Sequence, residues 1–489
     1  MSSPVLLNRP AFLQRIAERR GPWDLAVVGG GATGVGIAVD AATRGYSVVL
    51  LEQHDFGKGT SSRSTKLVHG GVRYLQQGNI SLVMEALQER GMLLQNAPHI
   101  VHDQQFIVPN YEWWEAPFYG IGMKVYDLLA GKYGFGPSQI LSREEVLQRI
   151  PTLSQDGLRG GVKYHDGQFD DARLLIDLVS TAAEHGATLL NYVRVTGLVK
   201  DADGLINGLT CQDQETGAAY KLAARCVINA TGPFSDGLRK LDDPTVAPMI
   251  SPSQGVHLVL PRHFLPGDTA IMVPHTRDGR VMFAVPWLGR VVVGTTDTAI
   301  PDASLEPTPK SEEVDFILET ASGYLAQPPT RNDILSVFTG IRPLVKASDV
   351  DSTSALSRDH TIAISTSGLL TIAGGKWTTY RHMAEDAVDH AIVLASLAER
   401  PCATRKLRIR KPEQDNPTAA WFARYEMART VEDVLARRTR LLFLDAQATL
   451  AVASDVAHEL ALELGRDEAW QRAQVADYAN VARHFLPPR

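Results

Sequence analysis

The short apolar run at 24–28 is followed at once by Gly29-Gly30-Gly31-Ala32-Thr33-Gly34, and this junction restricts the fold more than any other stretch of the chain. The spacing fits G-x-G-x-x-G at Gly29, Gly31 and Gly34. Glycines between a strand and a helix permit a tight turn and let backbone N–H groups approach a pyrophosphate, whose charge the positive end of the helix stabilises. Small residues continue through Ala42, as a helix packed closely on a sheet requires. A second apolar run at 47–51 ends in Glu52, 23 positions after Gly29. A carboxylate there accepts hydrogen bonds from a ribose diol and repels a 2′-phosphate. Strand, glycines, helix, strand and acid in this order predict a dinucleotide-binding α/β unit.

A chain of 489 residues is too long for one compact core, which predicts two or three domains. A net charge of -6 argues against nucleic acid as the main partner. Cys211, Cys226 and Cys402 are odd in number and scattered, so they predict a reducing compartment and no cysteine metal site; no metal is expected. Val5-Leu6-Leu7 is too short for the apolar core of a signal peptide. No apolar run approaches the roughly 18 residues of a spanning helix, which leaves peripheral contact as the expected mode of any membrane association.

Further along, residues 9–20 read as a short basic helix with Phe12, Leu13 and Ile16 on one face, and 81–94 as another helix. The 106–135 stretch is rich in aromatics and glycine. Asp170-Asp171 opens an amphipathic helix, and the two acids read as its caps. Strand-like runs at 189–195, 205–211 and 218–228 return to the first sheet, the last breaking into Asn229-Ala230-Thr231-Gly232-Pro233, where a cofactor can lie close to backbone. Residues 255–345 alternate apolar strands with turns and predict an antiparallel sheet inserted into the nucleotide-binding domain. The 369–373 strand ends in Gly374-Gly375-Lys376-Trp377-Thr378-Thr379 and a helix to about 397, and beyond a basic, proline-marked linker the chain reads as helical.

Two glycine-punctuated strand-to-helix turns, at Gly29 and Gly374, suit a cofactor longer than one nucleotide pair on a single motif. A helix N-terminus at Thr378 favours a reduced flavin, whose N1–C2=O edge becomes anionic, whereas NAD needs only the first turn. The segment 60–75, T-S-S-R-S-T-K-L-V-H-G-G-V-R-Y-L, adds hydroxyls, Lys66 and His69. Hydroxyls and one cation suit pyrophosphate and ribityl oxygens, and Gly70-Gly71 suits the approach of a planar ring.

Together, G-G-G-A-T-G, the 60–75 segment, N-A-T-G-P-F (229–234), G-T-T-D (294–297), T-G-I-R-P-L (339–344), L-S-R-D-H (356–360) and G-G-K-W-T-T-Y-R (374–381) resemble the FAD-dependent glycerol-3-phosphate dehydrogenase family, in order, over roughly residues 24–395. The resemblance implies an α/β fold with a Rossmann-like FAD-binding domain of glutathione-reductase type, similar to D-amino-acid oxidase, over 20–98, 160–245 and 346–396. It implies an inserted antiparallel β substrate domain over 99–159 and 246–345, and a helical domain over 397–489. The expected FAD contacts are Gly29, Gly31, Gly34, Glu52, Thr60, Ser61, Ser62, Lys66, His69, Gly70, Val195, Thr231, Gly232, Gly375, Thr378 and Thr379. Carried over from the family, Arg73, Tyr74, Arg358 and Lys376 lie at the substrate, with His257 as candidate base and Arg342 as candidate stabiliser of the C2 oxygen. Forked donors and point charges of this kind suit a phosphate dianion.

The implied reaction is oxidation of sn-glycerol 3-phosphate to dihydroxyacetone phosphate, with hydride passing to flavin N5. Family members of bacterial type usually pass electrons to quinone on the inner face of the membrane, and a similar oxidase branch passes them to oxygen. A cytoplasmic, peripherally docked protein, compatible with a homodimer, is therefore expected. Trp113, Trp114, Phe118 and Tyr119 are candidate interfacial anchors, and Arg405, Lys406, Arg408, Arg410, Lys411, Arg437, Arg438 and Arg440 candidate headgroup contacts. The stretch between Lys411 and Trp421 is shorter than the family usually carries. An amino-acid oxidase needs one arginine for a carboxylate rather than a cluster of cations, and an inactive flavoprotein scaffold has no use for the cluster at all.

Overall fold

The computed structural model describes residues 7–71, 79–274, 276–346, 360–412 and 414–488. Arg73, Tyr74 and Arg358 lie outside them. Among the described residues the apolar run after Pro22 is strand Trp23–Val28, the centre of an eight-stranded sheet. Its order is His360–Ile364, Leu370–Gly374, Ala219–Asn229, Trp23–Val28, Val48–Leu51 and Thr188–Leu190, all parallel except the first pair. Buried, continuously apolar strands such as Val48–Leu51 require cover on both faces. Helix Ala32–Thr43 supplies part of it, buried from Gly34 through Ala42 as its small side chains predict, and packs beside helices Asp171–Glu184 and Tyr380–Leu394.

The run expected as one strand at 189–195 is two. Tyr192 takes φ +55° with its N–H on the His54 carbonyl, and the chain restarts as Val193–Lys200, antiparallel to Ile206–Asp213. Leu51 and Leu190 therefore pair in the main sheet while Val195 leaves it.

The second sheet has ten strands and is antiparallel except where Ala270–Val273 runs parallel to His102–Asn110. It is larger than the 255–345 insert: Gly160–Gln168 pairs along its whole length with His102–Asn110, and Leu67–Val68 pairs with its end. Residues 160–168, expected with the FAD-binding part, thus belong to the second sheet. Helix Ser311–Tyr324 covers one face through Val314, Ile317 and Leu318. The C-terminal helices Ala419–Glu426, Ala446–Leu464 and Glu468–Arg483 cover the other, sharing a core with Val259, Trp287, Val292 and Phe338. No described helix is long and apolar enough to cross a membrane.

Candidate active site: a cofactor cleft beside a cationic sheet

A cleft of about 450 Å³ runs from the first glycine turn to the second. At one end Gly29 has φ +110°, and a Cβ there would lie 2.5 Å from the Ala230 carbonyl oxygen, so no other residue fits this crossing. Helix Ala32–Thr43 starts at the cleft with Gly31 as its N-cap, and the Ala32 N–H donates to Ser61 Oγ at 2.9 Å. Glu52 ends strand Val48–Leu51, accepting from the Gly30 N–H (2.7 Å) and the His54 N–H (2.8 Å). Burial pushes its carboxyl pKa up. One bond per oxygen leaves lone pairs for a diol.

The other end is Gly374-Gly375-Lys376-Trp377, and the Trp377 indole N–H donates to the Ser61 carbonyl at 2.8 Å, tying the two turns together across the cleft. Thr60, Ser61, Val195, Thr231, Gly232, Gly375 and Lys376 all line it. Thr378 and Thr379 are buried behind it at the start of helix Tyr380–Leu394, with Thr378 Oγ1 accepting from the His69 N–H.

Three expected cofactor contacts are placed differently. The Lys66 ammonium is fully buried away from the cleft, bonded to Asp171 Oδ1 (2.8 Å), Asp171 Oδ2 (2.9 Å) and the Ser62 carbonyl (2.7 Å), and ringed by Trp287, Phe338 and Phe443. A buried cation needs a buried anion, and Asp171 is that anion rather than a cap; Asp170 alone caps the helix. Ser62 turns inward, donating to the Gly57 carbonyl. Gly70 is buried with Tyr126 and Leu87 filling the space beside it, and its N–H donates to the Tyr126 hydroxyl at 2.8 Å.

His257 and Arg342 come from neighbouring strands of the second sheet. His257 is buried and stacked on Phe338, with ring centroids 4.7 Å apart, and its Nε2 lies 2.9 Å from the half-buried Thr65 Oγ1. Burial, then the nearby charges of Arg342 and Lys66, holds its pKa well below the usual histidine value, so the ring is neutral. The Arg342 guanidinium lies over Gly255, where a Cβ would stand 2.6 Å from Nη2. It bonds to Asp297 Oδ1 (3.2 Å) and the Thr296 carbonyl (3.0 Å), and the next residue, Pro343, lines the cleft. Sequence counts Thr65 only among the hydroxyls suited to a pyrophosphate, and Asp297 only as part of the G-T-T-D motif.

The proposed surface contacts divide. Trp113, Trp114 and Phe118 are exposed, but Tyr119 is buried against the sheet. Arg437 and Arg438 cannot meet headgroups: both are buried and paired with Asp55, and Arg437 also with Glu432 and Asp433. Arg440 pairs with Asp170 and Arg410 with Glu184. Among the described residues no cluster of side chains forms a metal site.

A parallel sheet with a glycine turn at each end of one long cleft, joined to a second sheet that presents a fixed arginine, defines a flavin-dependent oxidoreductase. The cleft's glycine crossing, helix N-terminus and terminal carboxylate fit the adenosine diphosphate half of FAD, and the second turn fits a longer remainder. Residues 24–381 match the family described as FAD dependent oxidoreductase, and residues 389–471 match the C-terminal domain of alpha-glycerophosphate oxidase. The chain belongs to that FAD-dependent family, in its glycerol-3-phosphate dehydrogenase branch, and its cofactor is FAD. It is 44% identical to the mitochondrial glycerol-3-phosphate dehydrogenase of Mus musculus over 81% of the chain and 56% of that protein. To the Homo sapiens protein of the same name it is 38% identical over 99% of the chain and 76% of the relative. That match runs over 559 aligned positions against a chain of 489 residues, so the human relative carries insertions absent here. The solved glycerol-3-phosphate dehydrogenase of Bacillus halodurans, complexed with FAD, superposes with a TM-score of 0.80 at 26% identity, covering 99% of both chains.

Proposed function

We propose that this protein oxidises sn-glycerol 3-phosphate to dihydroxyacetone phosphate, with membrane quinone as the electron acceptor. The observation that carries the reading is the guanidinium of Arg342, fixed by Asp297 beside a neutral His257 and next to a cleft-lining residue, in a chain whose relatives are glycerol-3-phosphate dehydrogenases. The turns at Gly29 and Gly374 would hold FAD, which would supply a two-electron acceptor for hydride from C2 of the substrate. Arg342 stabilises the charge that grows on the C2 oxygen as its proton leaves. His257 is too buried to touch a substrate itself, so the proton reaches it through Thr65, whose hydroxyl passes it to the Nε2 lone pair. Arg73, Tyr74, Arg358 and Lys376 hold the phosphate, a role that rests on the family resemblance. Arg342→Ala keeps bound flavin and loses most turnover; turnover unchanged in that variant removes Arg342 from the mechanism.

The quinone reading is supported by helix Glu115–Ala130, whose outer face exposes Phe118, Ile121, Val125 and Leu128 in line with Trp113 and Trp114. An apolar stripe of this length is what an interfacial helix presents to a membrane. A second reading, oxygen as acceptor, draws on the match of residues 389–471 to the oxidase C-terminal domain. Turnover with a quinone analogue and not with oxygen supports the first; the reverse supports the second.

A further inference from the structure

We propose that the C-terminal helical domain is the retaining wall of the FAD cleft, clamping the 52–61 loop from behind so that cofactor release requires its ion pairs to break. This rests on the reading that the cleft holds FAD. The loop alternates between two directions. Gln53, His54, Gly57 and Thr60 line the cleft, while Asp55, between them, turns away and is fully buried. Its carboxylate is held by Arg437 and Arg438, both from the π-helical turn Asp433–Arg438 more than 380 residues further on. Against burial, which alone would raise it, Arg438 and Arg437 hold the Asp55 carboxyl below the ordinary range, so the clamp carries full charge.

Lys58 makes the second fastening. It lines the cleft, yet its ammonium sits between Glu432 of the C-terminal region at 2.5 Å and Glu306 of the second-sheet loop at 3.2 Å. Glu306 also holds Arg63 at 2.7 Å, and the residue before it, Leu305, lines the cleft. Three segments distant in sequence thus meet on the wall of one cavity. Swinging that wall outward takes the buried Asp55 carboxylate away from Arg437 and Arg438 and separates Lys58 from Glu432, and parting a buried pair is costlier than breaking an exposed one. The domain whose role sequence leaves open therefore has one: it sets how long FAD stays bound.

The test measures FAD release from the holoenzyme after dilution, followed by recovery of free-flavin fluorescence. Glu432→Gln keeps the shape of the side chain and removes one fastening of Lys58; Glu306→Gln removes the other from the opposite side without touching the C-terminal domain. Each is expected to release FAD about tenfold faster, as loss of one charge-assisted hydrogen bond implies, and the double variant faster still. Arg424→Gln, which breaks the exposed Arg424–Glu463 pair within the same domain, leaves release unchanged. Melting of each apoprotein confirms folding. Release rates within about twofold of wild type in folded Glu432→Gln and double variants overturn the proposal. Wild-type protein that takes up no FAD overturns the cleft reading, and the clamp with it.

Discussion

Replacing Asp171 with asparagine tests whether Lys66 is a structural cation or a cofactor ligand. In the structure the ammonium has three oxygen partners, two of them on Asp171, and both side chains are fully buried. Asp171→Asn leaves a buried cation with one amide oxygen, one carbonyl and three ring faces 4.7–5.0 Å away. Breaking one side of a buried pair costs about 3–5 kcal/mol, and the retained amide oxygen places this variant near 3 kcal/mol. Lys66→Met leaves the carboxylate with donors from Ser64 and Ala172 and costs a similar amount. The double variant removes both charges, so it is expected to recover at least about 2 kcal/mol relative to the sum of the single changes. Urea unfolding of the apoproteins reads these values, and flavin titration reads FAD affinity, which stays near wild type in every variant that folds. Losing the Lys66 charge also raises the His257 pKa, since that charge helps depress it. Unchanged apoprotein stability in Lys66→Met, with FAD affinity weakened many-fold, would refute the reasoning and return Lys66 to the pyrophosphate.

Acid should destabilise the protein through buried His257 and half-buried His54. Burial lowers the pKa of His257 well below 6.5, and burial with the Lys58 charge lowers that of His54 to about 4. The unfolded chain then takes up protons below about pH 6.5 that the folded state refuses, so stability falls with falling pH by up to about 1.4 kcal/mol per unit for buried His257 and by less for half-buried, solvent-screened His54. Urea midpoints at two pH values measure the slope, and His257→Asn should remove one of the two contributions. Thr65→Val removes the hydroxyl 2.9 Å from His257 Nε2; FAD binding should persist while turnover falls about a hundredfold or more, and a rate close to wild type would exclude the relay. Vesicles of anionic lipid should cosediment the protein, and replacing Trp114 and Phe118 with serine should abolish this; equal binding by the variant would move the docking face elsewhere.

The dinucleotide unit was legible because its signals are local: five elements within 30 residues, each with its own period or glycine, and Gly29 and Glu52 stand where that reading puts them. Charged side chains were not legible in the same way. Lys66 finds its partner 105 positions away, and Arg438 finds Asp55 at a separation of 383, so residue type alone suggested ligands where folding made ion pairs. Residues 160–168 stand in the second sheet rather than with the FAD-binding part for a related reason, since the strand they pair with, His102–Asn110, is distant in sequence. Of the substrate cations, Arg342 became meaningful through family resemblance; nothing in T-G-I-R-P-L taken alone predicts that Gly255 would make room for its guanidinium or that Asp297 would hold it.

Anaerobic addition of sn-glycerol 3-phosphate to the purified flavoprotein tests the central claim most directly. The account predicts bleaching of the oxidised flavin band by this substrate and none by amino acids. A band that stays unchanged with glycerol 3-phosphate, or bleaches only with an amino acid, would contradict it.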